Sequence, residues 1–473
     1  MTTTAVATRP PGVRGFPIGA HQDQAIDEIM QRDHLLIEYG TGTGKTRIYV
    51  EAIEALIVAG EAPILVLVPN SLIEQTYDEF KRWLGDTWVE RYLLVLNGSF
   101  KIEERRQQLK FGKKAVYLLS HESMSYPLVR EGLFARSWAA VFLDEASRFR
   151  NYSNRTKTLA GLGRRAASRY GFTGNLAPRT PADVWYVANW LNSGLFGTTN
   201  KQTFITENFL MGGFEGRQVI GLRPDKRRTF LQTLDQERIK CDLSDIRTMP
   251  ERVLHHHMTT MPDKTRRAYK ELQETLKLEL ARMDDEDFKS HVRTYATRLQ
   301  RLQEIGSGFA RNVDGDVEFL PCSKTETLLE LLEDEPDRPT IIWGWWVPEM
   351  QQIASRLTKA KLPHTMFGRD PDAVARFMDG RVNVFISQLA RGGYGLNLTR
   401  ATRMIYHSLP WSLDVYLQSQ ERNVRLTTTA PSLEVVHLSN RQSVDVYVRA
   451  RLLERADVSA QLTRSQALEL LRA

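Results

Sequence analysis

The feature that most constrains the fold of this chain is the run GTGTGKT at residues 40–46. It follows the apolar run LLIEY (35–39), which has the length and composition of a strand, and it precedes a stretch with apolar residues at helical spacing. A glycine-rich turn in this context points backbone N–H groups at phosphate oxygens, and the helix N-terminus adds a positive partial charge. We therefore predict a phosphate-binding loop formed by Gly40, Thr41, Gly42, Thr43, Gly44, Lys45 and Thr46.

An acidic pair after another apolar run predicts the second half of a nucleotide site. The run AAVFLDEAS (139–147) contains Asp144 and Glu145 directly after its apolar residues. We predict that Asp144 and the Thr46 hydroxyl hold Mg²⁺, and that Lys45 reaches the β- and γ-phosphates of ATP. Glu145 would orient and deprotonate the attacking water. The sequence thus predicts ATP and Mg²⁺ as ligands, with Lys45 and Glu145 as catalytic residues.

Apolar runs of strand length alternate with helical patterns in both halves of the chain. In the first half the runs are LLIEY (35–39), ILVLV (64–68), YLLVL (92–96), AVYLLS (115–120) and AAVFLD (139–144). In the second half they are TIIWGWW (340–346), VNVFIS (382–387), MIYHS (404–408) and LEVVHLS (433–439). This alternation is typical of parallel sheets covered by helices. We predict an α/β fold with two RecA-like P-loop NTPase lobes joined by a helical segment.

Changes in composition along the chain suggest where the domains begin and end. Residues 1–15 are rich in Thr, Pro and Arg and are predicted to be a flexible arm. We assign 16–248 to an N-terminal ATP-binding lobe in which 195–248 is a peripheral insertion. The run RVLHHHMTT (252–260) resembles a short strand, and the apolar stripe that follows indicates a helix, so 249–320 is predicted to link the lobes. Residues 321–473 form the predicted C-terminal lobe.

Composition permits a polyanionic partner and argues for a reducing compartment. The chain has 64 Lys and Arg against 57 Asp and Glu, a net charge of +7 and a pI of about 9.2. Cys241 and Cys322 are distant from each other and form neither a metal motif nor a disulfide framework. The N-terminus lacks the apolar core of a signal peptide, and the longest apolar runs are too short to span a bilayer. We predict a cytoplasmic protein with no membrane partner.

Seven further segments occur in an order that resembles a known family. They are HQDQA (21–25), VPNSLIEQTYDEFKRW (68–83), DEASRFRN (144–151), GFTGN (171–175), ARGGYGLNLTRA (390–401), MIYHSLPWSLDVYLQSQERNVR (404–425) and SVDVYV (443–448). Together with the phosphate loop they resemble the motifs of superfamily 2 helicases, specifically the Swi/Snf-type DNA translocases. The compact length is similar to the small forms encoded by bacteriophages and bacteria, for which the cytoplasm would be that of the host.

The resemblance implies roles for residues outside the phosphate loop and the acidic pair. Gln22 would contact adenine and Gln418 would contribute to nucleotide binding, while Arg422 and Arg425 would act as arginine fingers on the γ-phosphate. The chain also departs from the family pattern at several positions: Tyr39 in place of the first loop glycine, Ser147 in place of the DEAH histidine, Leu176 in place of a proline after motif III, and Val424, Thr427 and Thr428 in motif VI.

The resemblance also implies contacts with DNA, with duplex favoured and binding insensitive to sequence. The candidates for phosphate contacts are Ser71, Ser120, His121 and Asn397. A cluster of basic residues could add to them: Arg148, Arg150, Arg155, Lys157, Arg164, Arg165 and Arg169. The triplet His255–His257 lacks an accompanying Cys or carboxylate cluster, so a strand is the better interpretation than a metal site. We assign Trp343, Trp345 and Trp346 to the core or the lobe interface.

Three functions remain open from sequence. A duplex translocase is favoured over a strand-separating helicase acting on DNA or RNA. A non-motor ATP switch that binds a protein partner is the alternative from a different class. Nucleic-acid-stimulated ATP turnover separates the first two from the third, and strand displacement separates the first from the second.

Overall fold

The computed structural model describes residues 18–177, 180–212, 218–246, 248, 250–312, 314–392, 396, 398–423, 432–454 and 463–472. The chain divides into two compact units, residues 1–248 and 249–473. The predicted arm at 1–15 lies outside the described residues.

The first unit is built on a seven-stranded parallel sheet with the order β3-β4-β2-β5-β6-β1-β9. Its strands are β1 (His34–Tyr39), β2 (Ile64–Val68), β3 (Leu93–Leu96), β4 (Val116–Ser120), β5 (Trp138–Leu143), β6 (Ala166–Thr173) and β9 (Arg238–Cys241). Both faces of the sheet are apolar because alternate residues of each strand point to opposite sides. Leu65 and Leu67 pack into one core, and Ile64, Val66 and Val68 pack into the other.

Helices cover both faces of this sheet. They are α1 (Ala20–Gln31), α2 (Lys45–Val58), α3 (Ile73–Leu84), α4 (Asp86–Tyr92), α5 (Ile102–Phe111), α6 (Pro127–Phe134), α7 (Asn154–Gly163), α8 (Trp185–Leu191), α9 (Lys201–Asn208), α10 (Arg227–Asp235) and α11 (Leu243–Ile246). Short 3₁₀ turns lie at Asn70–Leu72, Glu122–Ser125, Ala146–Phe149 and Pro181–Val184.

The segment predicted as a peripheral insertion contributes one strand to the main sheet. Residues 195–248 include an antiparallel hairpin of β7 (Phe209–Gly212) and β8 (Gln218–Leu222). They also include β9, which pairs in parallel with β1 from Leu36↔Arg238 to Tyr39↔Cys241. The polar composition of β9, RIKC, hides it from a search for apolar runs. The mixed sequence of β6, AASRYGFT, likewise lacks an apolar run, so this strand could not be predicted from the sequence pattern.

The second unit is built on a six-stranded parallel sheet with the order β10-β17-β16-β13-β15-β14. Its strands are β10 (Glu251–Thr259), β13 (Thr340–Gly344), β14 (His364–Met366), β15 (Val384–Gln388), β16 (Arg403–Tyr406) and β17 (Ser432–Asn440). An antiparallel pair is formed by β11 (Phe309–Arg311) and β12 (Val317–Phe319). Trp343 is fully buried on β13, which confirms its assignment to the core, and the rings of Trp345 and Trp346 are half-buried.

The helices of the second unit lie on both sides of its sheet. They are α12 (Asp263–Arg282), α13 (Asp285–Gly306), α14 (Ser323–Asp334), α15 (Val347–Lys359), α16 (Ala373–Met378), α17 (Leu389–Gly392), α18 (Leu413–Gln420), α19 (Val444–Leu453) and α20 (Arg464–Arg472). Residues 249–320, predicted as a linking segment, belong to this unit. Their strand β10 pairs with β17 over nine residues, and Leu299 and Leu302 of α13 join the apolar core.

The predicted fold class, two parallel sheets each covered by helices, is confirmed. The arrangement matters for function because the carboxyl ends of parallel strands open at one edge of the sheet, where ligands bind in α/β folds. Among the described residues, none of the helices is long and apolar enough to cross a bilayer.

Candidate nucleotide site and nucleic-acid surface

The predicted phosphate loop connects the carboxyl end of β1 to the start of α2. Gly42 and Gly44 have φ angles of 86° and 85°, a left-handed conformation that glycine adopts without steric cost. Gly44 is the N-cap of α2 and has no side chain that could cap the first helical turn. The N–H groups of that turn are therefore oriented to bind an anion, and the helix dipole favours negative charge at the same place.

Side chains of the loop hold its backbone in place. The Thr43 hydroxyl is buried and donates to the Gly40 carbonyl at 2.7 Å. The Lys45 ammonium donates to the carbonyls of Tyr39 and Gly40 at 2.8 and 3.2 Å. The ammonium of Lys45 thus lies across the start of the loop.

Gln22, predicted to contact adenine, lies against the backbone of the phosphate loop. Its Nε2 donates to the carbonyls of Thr43 and Gly44 at 3.2 and 3.4 Å, and its Oε1 accepts from the Gly19 N–H at 3.1 Å. The side chain is 4% exposed. His21 Nε2 also contacts the Thr43 carbonyl at 2.9 Å, a contact that the sequence analysis did not predict. In this structure both side chains position the loop.

The acidic pair lies at the carboxyl end of β5, one strand beyond β6, which is the neighbour of β1. Asp144 is buried, and its Oδ1 accepts from the Glu145 N–H at 2.9 Å. Burial, followed by the adjacent charge of Glu145, raises the pKa of Asp144 to about 7, and Lys45 opposes the shift. The interaction with Lys45 places Asp144 within electrostatic reach of the phosphate loop.

These residues suit Mg²⁺. Magnesium binds oxygen ligands and is usually held by one or two carboxylates together with substrate phosphates. The carboxylate of Asp144 is such a ligand, and a divalent cation beside it would favour the ionised form that burial and the charge of Glu145 disfavour. The Thr46 hydroxyl, in the first turn of α2, is the second predicted ligand.

The end of β6 approaches the phosphate loop closely. A Cβ added to Gly174 would lie 3.3 Å from the Thr41 hydroxyl oxygen and 3.9 Å from Lys45 Nζ. Two residues on, Leu176 donates its N–H to Glu38 Oε1 at 2.9 Å. The family has proline at the Leu176 position, and proline could not make this bond. Leucine at this position therefore allows a hydrogen bond between the segment after β6 and Glu38 of β1.

The strand β9 brings additional charged groups to the same region. Arg238 is buried and donates to Glu38 Oε2 at 2.7 Å, so Glu38 joins β9 to the segment after β6. The Gly40 N–H donates to the Cys241 carbonyl at 2.8 Å, and a Cβ at position 40 would lie 3.2 Å from Asp242 Oδ1. These contacts could not be predicted from the sequence because they join segments about 200 residues apart.

The predicted site residues of the second unit are partly described. Arg422 is 3% exposed, and its Nε donates to the Gln418 carbonyl at 2.9 Å. Gln418 Nε2 donates to Asp414 Oδ1 at 3.2 Å, while Gln418 Oε1 is buried and has no hydrogen-bond partner among the residues that the structure describes. Arg425 and Asn397 lie outside the described residues.

The predicted nucleic-acid contacts of the first unit separate into exposed and buried residues. Ser71 is exposed in the 3₁₀ turn after β2 and lines a cavity of about 430 Å³. The other lining residues are Asn70, Ile73, Glu74, Asn97, Gly98 and Ser99. This cavity lies at the carboxyl ends of β2 and β3, and its lining is rich in small polar groups that can contact phosphate.

Ser120 and His121 are buried, and neither presents its side chain to a passing strand of nucleic acid. Ser120 is 3% exposed, and its hydroxyl lies 2.8 Å from that of Ser123. His121 is fully buried against the Phe149 ring, with a centroid distance of 4.9 Å. Burial, followed by the nearby charge of Arg148, lowers the pKa of His121 to about 3. Their position at a strand end predicted exposure, but the turns that follow β4 and β5 cover both side chains.

Several residues of the predicted basic cluster contact other groups of the first unit. Arg169 donates to the carbonyls of Gly163 and Trp190 at 3.0 and 3.2 Å. Arg148 and Arg155 lie 3.7 and 4.0 Å from the Glu122 carboxylate. Part of the cluster therefore stabilises the fold.

Comparison with known proteins points in the same direction as the motifs. Residues 16–173 match the family model described as type III restriction enzyme, res subunit. The mouse DNA excision repair protein ERCC-6-like 2 is 30% identical over 135 residues, which are 28% of this chain and 8% of that protein. An uncharacterized ATP-dependent helicase of Mycoplasma genitalium, MG018, is 21% identical over 374 residues, 77% of this chain and 34% of the relative.

A viral relative and a solved structure are also similar. The probable global transactivator of Orgyia pseudotsugata multicapsid polyhedrosis virus is 22% identical over 338 residues, 68% of this chain and 66% of the relative. The chain thus spans less than two thirds of the length of each of these three relatives. The Sulfolobus solfataricus SWI2/SNF2 ATPase core in complex with dsDNA aligns over 95% of this chain and 94% of that chain, at 17% identity and a TM-score of 0.44. The fold described above does not depend on that alignment.

Proposed function

We propose that this chain is a superfamily 2 helicase of the Swi/Snf type that couples ATP hydrolysis to movement along DNA, with duplex favoured. The observation that carries the proposal is the meeting of three strand ends at one edge of the first sheet. These ends supply the phosphate loop after β1, Asp144 and Glu145 after β5, and Gly174 after β6.

Each group at that edge has a separate role in ATP hydrolysis. The N–H groups of the loop and the Lys45 ammonium bind the phosphates. Asp144 and Thr46 would hold Mg²⁺, which when bound would neutralise phosphate charge. Glu145 accepts a proton from the water that attacks the γ-phosphorus, and ADP leaves as the bond to the β-phosphate oxygen breaks. We assign to Arg422 and Arg425 the stabilisation of charge in this transition state, and to Gln418 a contact with the nucleotide.

DNA as the polymer is supported by charge, by the surface at Ser71 and by one relative. A net charge of +7 permits a polyanionic partner. The cavity at Ser71 offers the Ser71 hydroxyl and the Asn97 side-chain amide, which can donate to phosphates without reading bases. The mouse relative is described as a DNA excision repair protein. Binding that depends on phosphates would be insensitive to sequence and would weaken steeply with added salt.

Comparative ATPase measurements test this proposal. Turnover by the purified full chain would be measured with duplex DNA, single-stranded DNA and RNA at one fixed salt concentration. We expect the strongest stimulation with duplex DNA. Strong stimulation by RNA together with none by either DNA would move the protein to an RNA helicase function. Turnover that no nucleic acid changes would instead support an ATP switch that binds a protein partner.

A further inference from the structure

The first unit carries a pair of neighbouring tyrosine rings, one exposed and one half-buried, each with a lysine over it. Tyr152 lies between the 3₁₀ turn Ala146–Phe149 and α7, and it is 69% exposed. Its ring centroid is 6.3 Å from that of Tyr186 on α8, with an angle of 30° between the ring planes. Lys157 Nζ lies 4.9 Å from the centroid of Tyr152, and Lys201 Nζ lies 4.2 Å from that of Tyr186.

The two tyrosines lie on segments that leave the carboxyl edge of the sheet. Tyr152 lies on the segment that leaves β5 after the acidic pair, and Tyr186 lies on the segment that leaves β6 after Gly174. The strands β5 and β6 are neighbours in the sheet. The two tyrosines therefore come from the same two connections that supply the candidate ATP site, although neither ring belongs to that site.

The chemistry of the patch fits a nucleotide with an unpaired base. Tyr186 supports Tyr152 from one side, and a ring fixed in this way offers a flat apolar surface at low conformational cost. Exposed aromatic rings bind single-stranded nucleic acid by stacking on bases, and lysines attract the phosphates. An acidic peptide would pair with the lysines but would leave the exposed tyrosine ring without a stacking partner. Bases inside a duplex already stack on their neighbours, so the matching ligand is a single strand.

The charges around the patch are consistent with that ligand. Exposed Asn151 and Asn154 flank Tyr152 in the sequence and can donate to base edges or phosphates. Asp183 is a carboxylate near Lys201, and it offsets part of that lysine's charge. Lys157 is exposed. Its charge is therefore accessible to a phosphate.

We propose that Tyr152, Tyr186, Lys157 and Lys201 form an accessory site for unpaired nucleotides of a nucleic-acid strand. The inference rests on the proposed nucleic-acid function and deepens it by naming a single-stranded segment as a second ligand. Such a site would hold a strand at a frayed end or gap, while binding to intact duplex would depend on other contacts.

A matched pair of variants tests the site. Phe111, at the end of α5, is 65% exposed and has Lys110 Nζ 5.1 Å from its ring centroid, so it reproduces the exposure and the cation without the second ring. Affinities of the full-length wild type, Tyr152→Ala, Tyr152→Phe and Phe111→Ala would be measured by fluorescence anisotropy. The probes are a labelled oligothymidylate and a labelled duplex at one salt concentration. Duplex-stimulated ATP turnover would be measured in parallel.

We expect Tyr152→Ala to bind the oligothymidylate about fivefold or more weakly, because stacking on one aromatic ring is worth roughly 1–3 kcal/mol per base. Tyr152→Phe and Phe111→Ala should match the wild type, and all four proteins should retain duplex binding and duplex-stimulated turnover. Equal single-strand affinity of Tyr152→Ala and wild type, with duplex-stimulated turnover intact, would overturn the accessory site and leave the proposed function standing. Equal losses in Tyr152→Ala and Phe111→Ala would overturn the site as well.

Two further outcomes separate the remaining possibilities. A poly-glutamate peptide that bound in a Tyr152-dependent manner, with no Tyr152-dependent binding of oligothymidylate, would identify an acidic peptide as the ligand and would overturn the inference. A wild-type chain that bound neither DNA probe and showed no stimulated turnover would overturn the proposed function and the accessory site together.

Discussion

The residue with the most direct chemical assignment is Glu145, which adopts a φ of 47° directly after the buried Asp144. A left-handed conformation in a non-glycine residue costs free energy and is common where a side chain must point in a particular direction. The sharp turn here separates two successive carboxylates, with Asp144 buried and Glu145 half-buried. This arrangement matches a division of labour in which Asp144 holds Mg²⁺ and Glu145 acts on water.

The assignment predicts different defects at Glu145 and Lys45. Glu145→Gln should bind ATP but stop hydrolysis, because an amide cannot accept the proton of the attacking water. Lys45→Ala should abolish turnover, because the variant loses the ammonium that contacts the phosphates. Nucleotide binding by a fluorescent ATP analogue and phosphate release would be measured for both. Turnover by Glu145→Gln close to that of the wild type would rule out Glu145 as the base.

His121 predicts a pH dependence of stability. The pKa of its buried ring is lowered to about 3, whereas an unfolded histidine titrates near 6.5. Between these values the unfolded chain binds more protons, so the stabilising contribution is complete above pH 6.5 and is lost as pH falls toward 3. At pH 5 the loss is about 2 kcal/mol.

Urea unfolding at pH 7.5 and pH 5 measures this effect. The difference in free energy of unfolding between wild type and His121→Gln should change by about 2 kcal/mol between the two pH values, to the relative advantage of the variant at pH 5. Comparing differences removes the cost of the substitution itself. An unchanged difference would show that His121 does not have the lowered pKa.

At the scale of elements, the phosphate loop depends on the glycine before α2. Gly44 has a φ of 85°, and a Cβ there would lie 2.1 Å from Gln22 Nε2. Gly60, at the end of α2, has a φ of 86° with nothing within 4 Å of the added atom. The two positions share the same backbone requirement but differ in what surrounds them.

Alanine at these two glycines should therefore affect different properties. Both substitutions should lower stability by about 1 kcal/mol through the unfavourable φ. Gly44→Ala should in addition displace Gln22 from the loop carbonyls and weaken ATP binding, whereas Gly60→Ala should bind ATP like the wild type. Thermal unfolding and ATP titration of both variants check this. Equal ATP affinities would show that the Gln22 contact does not shape the loop.

The loop and the acidic pair could be predicted from sequence because their conformation is local. A glycine-rich turn after one apolar run, and an acidic pair after another, can each be recognised from a short stretch of consecutive residues. The bond from the Leu176 N–H to Glu38, and the pairing of Glu38 with Arg238, join segments that are distant in the chain. The strand β9 has no apolar run to reveal it. Such features depend on which strands are neighbours in the sheet. The pattern of apolar residues does not predict that order.

The burial of Ser120 and His121 could not be predicted for a related reason. A polar pair at the carboxyl end of a strand has the pattern of a ligand contact, and the same pattern arises when a following turn covers the pair. Here the turn Glu122–Ser125 and the Phe149 ring provide the cover. Ser71 has the same kind of position after β2 and is exposed, so the difference lies in the packing of later segments.

At the scale of the whole molecule, both units should be required for turnover. The predicted catalytic arginines belong to the second unit and the phosphate loop to the first. A fragment of residues 1–248 should bind ATP weakly and hydrolyse almost none, and Arg425→Ala in the full chain should lower turnover by roughly 10³–10⁵-fold with a much smaller change in ATP affinity. Steady-state phosphate release is the measurement. A fragment that hydrolysed ATP at the rate of the full chain would show that the second unit is dispensable.

The central claim is that ATP hydrolysis drives this chain along duplex DNA, and displacement of a third strand tests it most directly. A labelled oligonucleotide bound as a triplex would be placed at one end of a longer duplex, and its release would be followed with ATP. The account predicts release by the wild type with ATP and none by Glu145→Gln, while the two strands of the duplex stay paired. ATP hydrolysis stimulated by the duplex without any release of the third strand would contradict it.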